Sequence, residues 1–135
     1  MRTSPLVAGI GLTALTSIVQ AAIPQNIDQA FERFTALPNT LVPILEKAKD
    51  RQSADAAAKE LNDALPLIYD ARTEFMNIQS LSPEVSAEVL MKYEKNMRRN
   101  WGKVYENIFR LQKARCYDSI AFFKEFQTLC AMLEQ

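Results

Sequence analysis

SPEVSAEVLMKYEKNMRRNWGKVYENIFRLQKAR, residues 82–115, is the stretch on which the reading of the fold turns. Ser82-Pro83-Glu84 is a helix start. A serine can accept from the first free amides, proline suits the first helical position, and an acid sits well at the positive end of the helix dipole. Leu90, Met97, Val104 and Leu111 then recur every seven residues, and Trp101 and Ile108 widen the stripe. Such spacing puts apolar side chains on one face of a helix. The pattern predicts a helix over 83–115, roughly 45–50 Å long at 1.5 Å per residue. Gly102 inside it costs about 1 kcal/mol relative to alanine. It is either tolerated or makes room for a neighbouring helix.

The flanking segments carry the same period. Over 27–51, Ile27, Phe31, Phe34, Leu37, Leu41, Leu45 and Ala48 are spaced by three and four. Pro38 has no N–H and crowds the preceding turn, so a break or sharp kink is expected there, with Asn39 or Thr40 capping a restart. Over 54–78, Ser53 is the expected cap, and Leu61, Ala64, Leu65, Ile68, Ala71, Phe75 and Ile78 form the stripe, with a kink at Pro66. Over 118–133, Asp118 or Ser119 can cap a last helix. Its expected inner face is Ile120, Phe123, Phe126, Cys130 and Leu133, with Phe122 and Leu129 beside them.

An amphipathic helix alone in water is marginal, and packing of its apolar face supplies most of its stability. Short connections favour antiparallel neighbours. The expected fold class is therefore all-α: an antiparallel bundle of three to four helices, one domain over residues 22–135. Apolar residues make up 48% of the chain and charged residues 24%, a balance that argues against disorder.

Residues 1–21 read as a secretory signal peptide. Arg2 supplies a positive start, Leu6 to Val19 is an uncharged apolar run, and Val19-Gln20-Ala21 offers small residues around a cleavage site. The mature chain would begin at Ala22 and keep no stable membrane span. An uncleaved N-terminal anchor is the alternative. The expected location is periplasmic or secreted.

The formal net charge is zero, so no overall field draws the chain to nucleic acid. Locally the balance is uneven. Residues 91–115 hold eight basic side chains against Glu94 and Glu106, a net charge of +6. Residues 22–90 carry −5 and residues 116–135 carry −2. Either the basic helix packs beside acidic ones and the fields cancel, or Lys95, Arg98, Arg99 and Lys103 form an exposed interaction surface. Trp101 and Tyr105 could offer stacking area beside it.

Cys116 and Cys130 are the only cysteines. In an oxidising compartment pairing is the default. Along one helix the two lie about 21 Å apart, and even a hairpin at 117–119 leaves Cys130 about 16 Å along the returning helix, whereas a disulfide needs Cα atoms within roughly 7 Å. An intramolecular bond, two buried free thiols and an intermolecular bond all remain open.

The chain contains no histidine. That removes Ser-His-Asp and Cys-His catalysis, the usual zinc and copper sites, and histidine-held haem. Three glycines, two of them in the leader, cannot build a phosphate-cradling loop. Glu60/Asp63, Asp70/Glu74 and Glu84/Glu88 are carboxylate pairs at helical spacing, which usually means solvated faces. No catalytic residue, cofactor site or metal site is expected, and the chain is read as no enzyme.

Ser53-Ala54-Asp55-Ala56-Ala57, Ser82-Pro83-Glu84-Val85 and Lys92-Tyr93-Glu94-Lys95-Asn96-Met97 together resemble segments of small exported helical proteins of unknown function from Gram-negative bacteria. The likeness covers roughly residues 50–105 and implies a helical fold and export, with no activity. The functional expectation is a non-catalytic interaction module for another protein or an envelope component, with homo-oligomers possible. The alternative is a carrier of small apolar ligands, with a cavity between helices lined by Phe31, Phe75, Trp101 and Phe123.

Overall fold

The computed structural model describes residues 22–134, so the expected signal segment, 1–21, lies outside the described residues. Four helices follow one another: α1 (Gln25–Lys47), α2 (Arg51–Met76), α3 (Pro83–Lys113) and α4 (Ile120–Glu134). The described residues contain no strand, and the chain is an all-α bundle. None of its described helices is long and apolar enough to cross a membrane.

The capping chemistry at Ser82 is as read from the sequence: its Oγ accepts from the Val85 amide at 3.2 Å, with Pro83 in the first turn. Ser119 opens α4 in the same way, accepting from the Phe122 amide at 3.1 Å. The start of α2 differs from expectation. Asp50, not Ser53, is the cap; its carboxylate accepts from the Ser53 amide at 2.8 Å, and Ser53 Oγ accepts from the Asp50 amide at 3.0 Å. That reciprocal box satisfies two amides where a serine cap alone would satisfy one.

Pro38 does not end α1, which runs through both Pro38 and Pro43 to Lys47. The reason is tertiary. A proline at 38 leaves the Phe34 carbonyl without its helical donor. Trp101 Nε1 on α3 donates to that carbonyl at 2.9 Å, and Asn100 Nδ2 donates to the Thr35 carbonyl at 2.9 Å. The neighbouring helix thus repairs the gap.

Polar ties join α1 to α3 at three levels. Near the start of α1, Asp28 meets Tyr93 and Lys92; in the middle lies the Phe34–Trp101 bond; at the end, Arg110 donates to the Leu45 and Ala48 carbonyls. Residue numbers rise together on both helices, so α1 and α3 run parallel. α2 and α4 form a second parallel pair, joined by Ser119 to Asp55 and Asn62 to Glu125. α1 and α2 pack against each other across the middle. Consecutive helices are antiparallel in direction, as their short connections require, yet α3 packs chiefly on α1 and α4 chiefly on α2.

The core between them holds Leu41, Leu45, Leu61, Ile68, Val104, Leu111, Phe122 and Leu129. Phe31, Phe34, Phe75, Tyr93 and Trp101 form a chain of ring contacts with centroids 4.2–5.6 Å apart. Two expected faces differ. On α3 only the start is shifted: Leu90 is exposed and Val89 and Tyr93 are buried in its place, while Trp101, Val104, Ile108 and Leu111 are buried as expected. On α4, Ile120 is 82% exposed and Phe123 is also exposed, while Phe122, Phe126 and Leu129 point inward. The turn before α4 sets that rotation. Arg115, Cys116, Tyr117 and Asp118 all carry left-handed φ, of 55, 52, 55 and 61°. Such a backbone costs L-residues roughly 1–2 kcal/mol each. Burial of Cys116, the Tyr117 hydroxyl bound to Arg110 at 2.9 Å and the Ser119–Asp55 bond hold the turn in place.

Candidate interaction surface

α3 presents one long edge to solvent because only its inner face is taken up by α1 and the core. Lys95, Arg98, Arg99 and Lys103 all lie on this exposed part. No acid from α1 or α2 reaches them. Arg98 pairs only with Glu94 of its own helix at 2.8 Å, and Arg99 donates to Asn96 at 2.9 Å. Lys95 and Lys103 have no ion-pair or side-chain hydrogen-bond partner among the described residues. On α2, Glu60 pairs with Lys47 at 2.6 Å and Glu74 with Arg33 at 2.8 Å, both cations of α1. The positive field of α3 is therefore open to solvent and screened mainly by salt.

Not all of the basic run belongs to this surface. Arg110 is turned inward. Its guanidinium donates to the carbonyls of Ala48 and Leu45, to Asn107 Oδ1 and to the Tyr117 hydroxyl, all within 2.8–3.0 Å. Nor does Trp101 offer a platform, since it is buried and stacked on Phe34. Tyr105 is exposed beside the basic residues.

At the near end of the surface, Lys92 binds the Asp28 carboxylate at 3.0 Å and the buried Tyr93 hydroxyl donates to the same carboxylate. The hydrogen bonds from Tyr93 and Lys92 hold the Asp28 carboxyl below its ordinary value. Burial, with the Asp28 charge adding to it, pushes the Tyr93 phenol up to about 12. A phenol whose folded value lies above its unfolded value of about 10 stabilises the fold fully below pH ~10 and loses that contribution as pH rises to ~12. Of the four tyrosines, one should thus titrate near 12 by tyrosinate absorbance, together with a loss of helicity. A Tyr93→Phe variant should lack that late step.

The expected cavity lined by Phe31, Phe75, Trp101 and Phe123 is not formed. The first three belong to the ring chain that fills the end of the bundle, and Phe123 faces a different space. That space is a groove of about 440 Å³ between α3 and α4, lined by Leu111, Phe123, Phe126 and Cys130 among others. A second hollow of about 370 Å³, with Tyr105, Ile108, Phe109 and Leu133, adjoins it through Gln112, Cys130 and Glu134. The rotation of α4 conceals this groove from a reading of the stripes.

Cys116 and Cys130 both face the groove as free thiols, Cys116 buried and Cys130 half-buried. Burial pushes the Cys116 thiol up to about 11, with Cys130 contributing, and burial also raises Cys130. Neither has the depressed value of a nucleophilic thiolate. Asp70 and Glu74 line an open hollow of about 570 Å³ beside the 77–81 loop, where Glu74 is held by Arg33. Among the described residues no group of three or more cysteine and carboxylate side chains converges as a metal site would require.

Comparison with family models, curated proteins and solved structures finds no match to this chain.

Proposed function

We propose that this protein is an exported, non-catalytic interaction module that meets another protein or an anionic envelope component through the basic face of α3. One observation carries the reading: Lys95, Arg98, Arg99 and Lys103 are exposed, and none is neutralised by the helices that pack against α3. Four cations within nine residues form a local field despite zero net charge. The leader sequence supports a periplasmic or secreted location.

The test is co-sedimentation of the processed chain with a purified envelope fraction at low salt. Wild type is expected to bind, and Lys95→Glu/Arg99→Glu/Lys103→Glu to bind at least tenfold more weakly, since each cation near an anionic surface contributes about 1 kcal/mol. Equal binding by both proteins, or none by wild type, would sink this reading.

The groove between α3 and α4 favours a second reading, a carrier of small apolar ligands. At about 440 Å³, its wider part is within the usual size of ligand sites, roughly 300–1,000 Å³. Enhanced fluorescence of anilinonaphthalene sulfonate, displaced by a fatty acid, would support it.

A further inference from the structure

We infer that the outer edge of α3 is a self-association surface on which two copies of this chain pack antiparallel. Met91, Glu94, Arg98, Gly102, Tyr105 and Phe109 succeed one another at steps of three and four residues, and all six are exposed. That spacing is the seam by which two helices pack along their length. Met91 is 83% and Phe109 72% exposed, whereas the outer stripe of a solvated helix is normally polar. No atom lies within 4 Å of a Cβ built at Gly102, so a second helix can come close at the centre of the seam.

Charge selects the occupant. The N-terminal end of α3 carries Glu84 and Glu88, and its C-terminal end carries Lys113, with Arg115 in the turn that follows. None of these four has an ion partner among the described residues. The helix is thus complementary to itself only when reversed. A two-fold axis midway between Arg98 and Gly102 sets Met91 against the second copy's Phe109. The same register brings Glu88 opposite Lys113, twice over by symmetry. A parallel pair would set acid on acid and base on base.

This two-fold lies perpendicular to both helices, so each flank of α3 stays on its own side of the pair. Leu90, exposed in the single chain, then falls at the second copy's groove beside Ile108, Phe109 and Leu133. Lys95, Arg99 and Lys103 of both copies fall together on the opposite side. The pairing does not depend on the function proposed above, because Lys95, Arg99 and Lys103, three of the four residues that carry that reading, flank the seam, and only Arg98 lies in it.

Sedimentation velocity of the processed chain over a range of concentrations tests it. Wild type is expected to be a dimer that weakens as salt is raised. Phe109→Glu should be monomeric with unchanged helicity, the site being exposed. Glu88→Lys and Lys113→Glu should each raise the dimer dissociation constant about tenfold, and the two together should restore it. A monomer at every concentration, a dimer that survives Phe109→Glu, or a charge swap that fails to recover association would each overturn the proposal.

Discussion

Replacement of Arg110 with methionine is expected to lower the free energy of unfolding by about 3 kcal/mol. Methionine matches the stem of arginine as far as Nε, so the loss is chiefly one of the guanidinium donors and not of the packed stem. Leu45 and Ala48 lie at the end of α1, where the Leu45 carbonyl takes only a long bond from the Ala48 amide at 3.3 Å, and the guanidinium takes both carbonyls at 2.9 and 2.8 Å. A cation there also complements the negative end of the helix dipole. The same group binds the Tyr117 hydroxyl at 2.9 Å, which steadies the left-handed turn into α4. A hydrogen bond from a charged donor is worth about 1.5–3 kcal/mol. Four of them do not sum, because Arg110 is only partly buried and water can take some acceptors. Urea unfolding followed by circular dichroism measures the change, at constant slope if the denatured state is unaltered. Arg110→Lys should recover only part of it, since an ammonium cannot span four acceptors set out for a planar fork. A loss below about 0.5 kcal/mol for Arg110→Met, the ordinary size of a surface substitution, would mean that water replaces the guanidinium.

Trp101→Phe is expected to cost about 2 kcal/mol, the second large effect. Phenylalanine keeps an aromatic ring beside Phe34 but removes Nε1, which donates to the Phe34 carbonyl at 2.9 Å. That carbonyl lost its helical donor to Pro38, so the deletion leaves it unpaired within a close-packed contact. Coupling provides the sharper measurement. In a Pro38→Ala background the alanine amide can bond the Phe34 carbonyl, and Trp101→Phe should cost about 1 kcal/mol less there than in wild type. Additive effects of the two substitutions would show that the indole nitrogen is not compensating for the proline.

The residues behind these predictions show where sequence reading reaches its limit. Ser82, Pro83 and Glu84 announce the start of α3 because capping is local chemistry, decided within one turn. The Ser119 cap is legible for the same reason. Pro38 reads as a break, and locally it is one; the donors that make it harmless come from residues more than sixty positions away in sequence. The choice of Asp50 over Ser53 as the cap of α2 turns on three residues of register, less than one turn, which either side chain could have set alone.

The candidate surface divides in the same way. An excess of charge in residues 91–115 is plain from the sequence. Whether neighbouring acids cancel it is not, because that depends on which helix faces which. Arg110 and Arg99 look alike in the sequence, yet one binds the end of α1 and the other stands at the surface.

The sequence by itself determined the all-α class, the order of the helical stretches and the caps that open α3 and α4, since periodicity and end chemistry are properties of short stretches. Only the tertiary structure decided that α3 lies parallel on α1, that four left-handed residues rotate α4 to bury Phe122 and expose Ile120, and that a groove opens between α3 and α4. These follow from side chains meeting across long separations. The three-and-four spacing is shared by every inward stripe and by the exposed seam of α3 alike, so it marks a helical face without saying what will cover it.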